Sequence, residues 1–184
     1  MAAEPTRHRR TLRRAVMAIV VSLLILTAVG IVVIQFPTTT RNPPHVDAVV
    51  VLGALDQGDM AAAGRLLEAG TSSTLVLSVA DGEWGNLCRD SPPGISVICF
   101  HPDPSTTQGE AKAINQLAAE NGWRSLAVVT WTTHVARSRV LLSRCFDGDL
   151  YLVDYPDEMT LGDRVYEQLY QSASFVKVLL QPTC

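Results

Sequence analysis

Leu126-Ala127-Val128-Val129-Thr130-Trp131-Thr132-Thr133-His134-Val135-Ala136-Arg137 is the stretch whose reading decides the fold. Its first four residues form a short apolar run of the kind found in strands buried on both faces of a parallel sheet. From Val135 to Phe146 apolar residues recur at helical spacing. The polar residues between them therefore occupy a strand-to-helix turn on the carboxyl edge of a sheet, where open α/β folds bind ligands. With Thr133 as the expected N-cap, His134 and Arg137 lie three apart and share one helix face. A cation in the first turn is disfavoured by up to about 1 kcal/mol, whereas the free N–H groups there favour an anion. Imidazole, guanidinium and open donors together read as a phosphate or carboxylate site, with Thr130, Thr133 and Arg137 as ligand-binding residues. The competing reading pairs Arg137 with a remote acidic side chain and leaves His134 as an exposed first-turn residue.

The same alternation runs through the rest of the chain. Strands are expected over 46–52, 74–79, 95–100, 124–129 and 150–153, and helices over 60–69, 107–121, 134–146 and 161–180. Gly70 and Gly122 supply helix stops. Residues 80–94, which contain Trp84, have no helical period and form an irregular loop. Strands alternating with helices imply a mostly parallel five-stranded sheet, covered on both faces and doubly wound through right-handed crossovers. The polar residues then gather at strand ends: Gly53 with Asp56, Ser78, His101 with Asp103, the run from Thr106 to Glu110, and the opening stretch.

Ahead of this domain, residues 15–36 are almost continuously apolar and long enough to cross a bilayer as a helix. Arg7, Arg9, Arg10, Arg13 and Arg14 precede them against Glu4 alone. Little positive charge follows, which places the N-terminus in the cytoplasm and the domain outside. A cleaved signal peptide with Ala28-Val29-Gly30 as its cleavage site is the competitor. Cleavage there would leave Ile31-Val32-Val33-Ile34 as an exposed apolar terminus, so the uncleaved anchor is favoured. The division is a basic tail (1–14), a transmembrane helix (15–36), a stiff polar linker (37–45) and an exported α/β domain (46–184). Removing the five arginines and one glutamate of the tail from totals of 15 Lys+Arg and 18 Asp+Glu leaves 10 against 17. A domain of that sign is a poor binder of nucleic acid, which needs a basic footprint.

Cys88, Cys99, Cys145 and Cys184 contain no C-x-x-C pair, which argues against structural zinc. An even number in an exported domain points to disulfides. Three pairings are open, of which Cys88–Cys99 and Cys145–Cys184 are preferred; buried free thiols are the alternative. Thr107-x-x-Glu110 fits a capping box, with Glu110 closing on the N-cap amide. The other reading of Glu110 is a carboxylate beside His134 that orients the imidazole or serves as a general base. The chain has no G-x-S-x-G elbow, P-loop or dinucleotide fingerprint.

Thr130-x-x-x-His134-x-x-Arg137, the strand from Asp47 to Gly53, Ser105-Thr106 with Glu110, and Glu167 on the last helix together resemble the YdcF/SanA/ElyC-like family of bacterial envelope domains. The resemblance covers roughly residues 47–171. Ala54 stands where a second glycine is usual, Ser78-Val79-Ala80 replaces Ser-Gly-Gly, and Trp131 replaces a serine. The resemblance implies a Rossmann-like fold and a role in cell-envelope or peptidoglycan-precursor maintenance. One member binds S-adenosylmethionine, a cofactor an exported domain rarely meets, so no cofactor is expected. The resulting expectation is a bacterial single-pass membrane protein whose domain binds an anionic small molecule, such as a lipid-linked or sugar phosphate. His134, Glu110 and Glu167 are the acid/base set, and Gly53, Ser78, Thr106, Thr130, Thr133 and Arg137 hold the ligand. The alternative is a non-catalytic envelope factor with a degenerate pocket.

Overall fold

A computed structural model describes residues 5–53, 55, 57–79, 88–89, 91–155, 159–180 and 183–184 of the chain. Expectations attached to Ala54, Asp56, Ala80 and Trp84 lie outside these residues. The elements run α1 (Pro5–Gln35), β1 (Ala48–Val51), α2 (Gln57–Glu68), β2 (Thr74–Ser78), β3 (Ser96–Phe100), α3 (Thr107–Asn121), β4 (Ser125–Trp131), α4 (Thr132–Cys145), β5 (Asp149–Tyr155) and α5 (Leu161–Leu180).

All strand pairs are parallel, in the order β3-β2-β1-β4-β5. This is the five-strand order of a Rossmann-type doubly wound sheet, and its direction reverses between β1 and β4. Alternate residues of the central strands feed two separate cores, because successive strand side chains point to opposite faces. Ala48, Val50, Leu126, Val128 and Leu152 pack with Ile114 of α3, Leu142 of α4 and Val178 of α5. Val49, Val51, Leu75, Leu77 and Val129 pack on the other face with Ala62, Ala63 and Leu66 of α2. Each fully buried Leu or Ile contributes about 1.5–3 kcal/mol through removal of apolar area from water.

Both preferred disulfides are formed. Cys88–Cys99 ties the β2–β3 connection to β3, and Cys145–Cys184 ties the chain end to the last residue of α4. At the amino edge of the sheet Asp47 holds the switch point together. Its Oδ2 accepts from the backbone N–H groups of Arg124 at 2.7 Å and Ser125 at 2.9 Å. Those bonds hold the carboxyl below its ordinary value, the Arg124 amide most of all.

α1 carries the candidate span Arg9–Gln35, 27 residues long, whose most apolar 18-residue window has a mean hydropathy of 3.0, so it is long and apolar enough to cross a membrane. The segment after it, the expected stiff polar linker, is hydrogen-bonded to the domain. Thr40 N–H donates to Leu152 O of β5 at 2.7 Å, and Arg139 of α4 donates to Thr38 O at 2.5 Å.

Candidate functional site

The site forms where the sheet order reverses. Strands β1 and β4 are neighbours, but their following segments leave toward opposite faces, and a crevice opens between them. A cavity of about 450 Å³ occupies it. Its lining includes Gly53 after β1, Ser78 at the end of β2, the start of α3, Trp131 at the end of β4, and His134 and Arg137 of α4. Tyr170, Ser174 and Lys177 of α5 close one side.

Six of the nine expected site residues line this cavity: Gly53, Ser78, Thr106, Glu110, His134 and Arg137. Thr130 is buried behind His134 and bonds its ring. Thr133 and Glu167 meet each other outside the lining, with Thr133 Oγ1 donating to Glu167 Oε2 at 3.4 Å. Gln171 Nε2 donates to the same carboxylate oxygen at 3.0 Å. Glu167 is thereby held by α4 and α5 together.

Two expectations about helix starts are corrected. The N-cap of α3 is Thr106, whose hydroxyl accepts from Gly109 N–H at 3.2 Å, and no capping box closes on Thr107. The Glu110 carboxylate turns away from its own helix and accepts the Gly53 N–H at 2.8 Å. The φ of Gly53 is +80°, which turns that N–H toward α3 in a conformation only glycine adopts without strain. Helix α4 begins at Thr132, with Trp131 rather than Thr133 in the N-cap position and no side-chain cap bond. Arg137 consequently lies in the second turn, away from the most positive end of the helix.

Glu110 is buried, and burial pushes its carboxyl above the ordinary value. The Ser78 hydroxyl, the Gly53 amide and the charge of Arg137 pull the other way. His134 is 2% exposed, so the expected exposed first-turn position is not what forms. Its Nδ1 lies 2.9 Å from Thr130 Oγ1 and its Nε2 3.1 Å from Thr107 Oγ1. A neutral imidazole satisfies both hydroxyls, one nitrogen donating and the other accepting. Burial, then the charge of Arg137, holds its basicity well below the usual histidine value. His134 is a neutral ring at physiological pH.

Among the described residues Arg137 has no remote ion-pair partner. Its guanidinium carbon lies 5.8 Å from the centre of the Tyr170 ring, and its Nε is buried without a hydrogen-bond partner among the described residues. Desolvation lowers its proton affinity, opposed by Tyr170, Glu110 and Glu167. A guanidinium nevertheless stays charged in proteins. A desolvated guanidinium with an unused donor, lining a cavity, has the chemistry to pair with an anion.

Trp131 stacks on His134 with ring centroids 4.4 Å apart and planes 21° apart. A Cβ on Gly53 would stand 2.7 Å from the same indole. Gly109 plays a similar part on α3, where a Cβ would meet Pro104 O at 1.9 Å. Sequence reading missed Gly109 and the four lining residues contributed by α5, namely Tyr170, Ser174, Lys177 and Val178. A glycine three residues after the N-cap was the available signal for the first; no local signal marked the others. Among the described residues, no cluster of three or more His, Cys, Asp or Glu side chains is placed to hold a metal ion. Comparison with family models and with curated proteins returns no match for the chain.

Proposed function

We propose that this chain is a membrane-anchored, YdcF/SanA/ElyC-like envelope protein whose exported domain binds a phosphate-bearing small molecule in the switch-point cavity. The observation that carries this reading is the unpartnered Nε of Arg137, buried beside a cavity that also receives the amino end of α3. Arg137 seats the anion by charge-assisted hydrogen bonds, and the free N–H groups of the helix start complete the cradle. Lys177 adds a second cation at the rim. His134, fixed between Thr130 and Thr107, holds the Thr107 hydroxyl toward the ligand. The arginine cluster in the first turns of α1, ahead of its apolar stretch, orients the N-terminus to the cytoplasm and the domain outside.

The same histidine geometry favours a binding role over acid/base catalysis, because a ring kept neutral by burial and a neighbouring cation is a weak base. Binding of inorganic phosphate, glucose 1-phosphate and a short-chain lipid phosphate to the full chain in micelles tests the reading. Arg137→Gln is expected to weaken the best of these at least tenfold, the size of a lost charge-assisted bond of about 1.5–3 kcal/mol. An unchanged affinity overturns the anion site. Phosphate-ester turnover by wild type that disappears in His134→Gln would overturn the binding-only role.

A further inference from the structure

Helix α5 presents a face that none of the described residues covers. Leu161, Val165, Leu169, Val176 and Leu180 stand at helical spacing along one side and are between 55% and 80% exposed. At 3.6 residues per turn they form one continuous stripe. Gln171 and Val178 face the core, and Tyr170, Ser174 and Lys177 face the cavity. The acidic residues Asp163 and Glu167 fall outside the stripe, which no charge interrupts.

The place of this helix in the fold identifies what covers it. α1 ends at Gln35, whose Nε2 donates to Gln168 Oε1 at 3.1 Å. Gln168 adjoins Leu169 on α5 and lies one turn from Val165. Just before it, Ile34 is buried against the domain, and just after it Phe36 is 76% exposed. The following residues leave no slack, since Thr38 is bonded to Arg139 and Thr40 to Leu152. α5 is therefore held within about one helix diameter, roughly 10 Å, of the point where α1 leaves the apolar phase.

We propose that α5 lies along the bilayer surface beside the end of α1, with this stripe set into the headgroup–acyl boundary. An uncharged apolar stripe on an otherwise polar helix is the pattern of an interfacial helix, buried about 5–10 Å into that boundary. Tyr166 flanks it and stacks on Tyr170 with centroids 6.3 Å apart. Tyrosine favours this depth because its ring is apolar and its hydroxyl is wet. The docking also carries Tyr170, Ser174 and Lys177 to the membrane surface, so the cavity opens beside the lipid headgroups. The proposal rests on α1 crossing the bilayer.

The test uses the full chain reconstituted in vesicles of phosphatidylcholine and phosphatidylglycerol, with or without acyl chains brominated near the headgroup. Leu169→Trp and Val176→Trp each add an indole on the stripe. Glu120→Trp adds one on the exposed end of α3, and Leu24→Trp adds one within α1. Emission is taken after subtraction of the three native tryptophans. The stripe variants are expected to lose about half or more of their added emission to the brominated lipid, as an indole at that boundary would. Glu120→Trp is expected to lose almost none. If Leu24→Trp is quenched but the stripe variants behave as Glu120→Trp, the proposal is overturned while the anchor stands. If Leu24→Trp is not quenched, the membrane-crossing reading itself fails. A stripe shielded from lipid in a chain that migrates as a dimer assigns the face to a second copy and overturns the proposal as well.

Discussion

Replacing His134 by glutamine is expected to remove an acid sensitivity of folding. In the folded chain the ring is 2% exposed, and burial and Arg137 hold its proton affinity well below the reference value of 6.5. In the unfolded chain it titrates near that reference. Above pH 6.5 neither state binds the proton, so the buried neutral ring costs nothing. Below it, the unfolded state takes up the proton and the folded state does not. Stability is thus whole above the unfolded value and falls as pH drops toward the depressed folded one. The slope approaches about 1.4 kcal/mol per pH unit and reaches about 2 kcal/mol at pH 5 for a ring still neutral in the fold. Glu110 has the opposite sign, because its raised value weakens the fold as pH rises, but it is present in both proteins and cancels in their difference. Arg137 stays charged throughout. The assay is urea unfolding of the full chain in mild micelles at pH 7.5 and 5.0, followed by tryptophan emission with the disulfides kept oxidised. His134→Gln will be less stable at pH 7.5, because one threonine hydroxyl loses its partner. Its loss between the two pH values should nonetheless be smaller than that of wild type, by at most about 2 kcal/mol. Equal losses would refute the buried neutral histidine.

Gly53→Ala should destabilise by about 1–3 kcal/mol in thermal or urea unfolding, from backbone strain and from overpacking against Trp131. It should also disturb the stack of that indole on His134. Glu110→Gln keeps an oxygen for the Gly53 N–H and removes a negative charge acting on Arg137. Phosphate should therefore bind more tightly by calorimetry, and weaker binding would count against Arg137 as the anion seat. In wild type the affinity should rise as pH falls through the raised Glu110 value, a trend the variant should lack. The double variant Cys145→Ser/Cys184→Ser opens a link between residues 39 apart, and should lose about 2–4 kcal/mol by denaturant titration.

Much of this architecture was carried by local pattern. Residues 107–121 and 161–180 are the spans of α3 and α5, since a helix is written in its own apolar period and in its stop signals. The parallel, doubly wound character of the sheet follows from alternation of strands and helices with right-handed crossovers, whereas the order β3-β2-β1-β4-β5 is settled only in the fold. That rule also gathers Gly53, Ser78, the start of α3 and the start of α4 at one edge. The apolar length of α1 is likewise a property of composition. Less was legible where a side chain had a choice of partners.

Glu110 could close on its own helix or reach a turn 57 residues away, and only the close packing of α3 beside β1 decides for Gly53. Arg137 could pair with a surface carboxylate, but the fold leaves its Nε unpaired at the cavity. The protonation state of His134 depends on burial and on Thr107, which lies 27 residues earlier. The third wall of the cavity and the bare stripe both belong to α5, whose rotation about its axis is set by Gln171 and Val178 entering the core. Hydrophobic period and turn chemistry act between near neighbours in the chain, so the sequence by itself determines the elements, their order and the edge where polar residues meet. Desolvation and partner choice act between residues brought together only by packing, so the tertiary structure decides which of those polar residues is neutral, which is spent on the fold, and which keeps an unused donor beside the cavity.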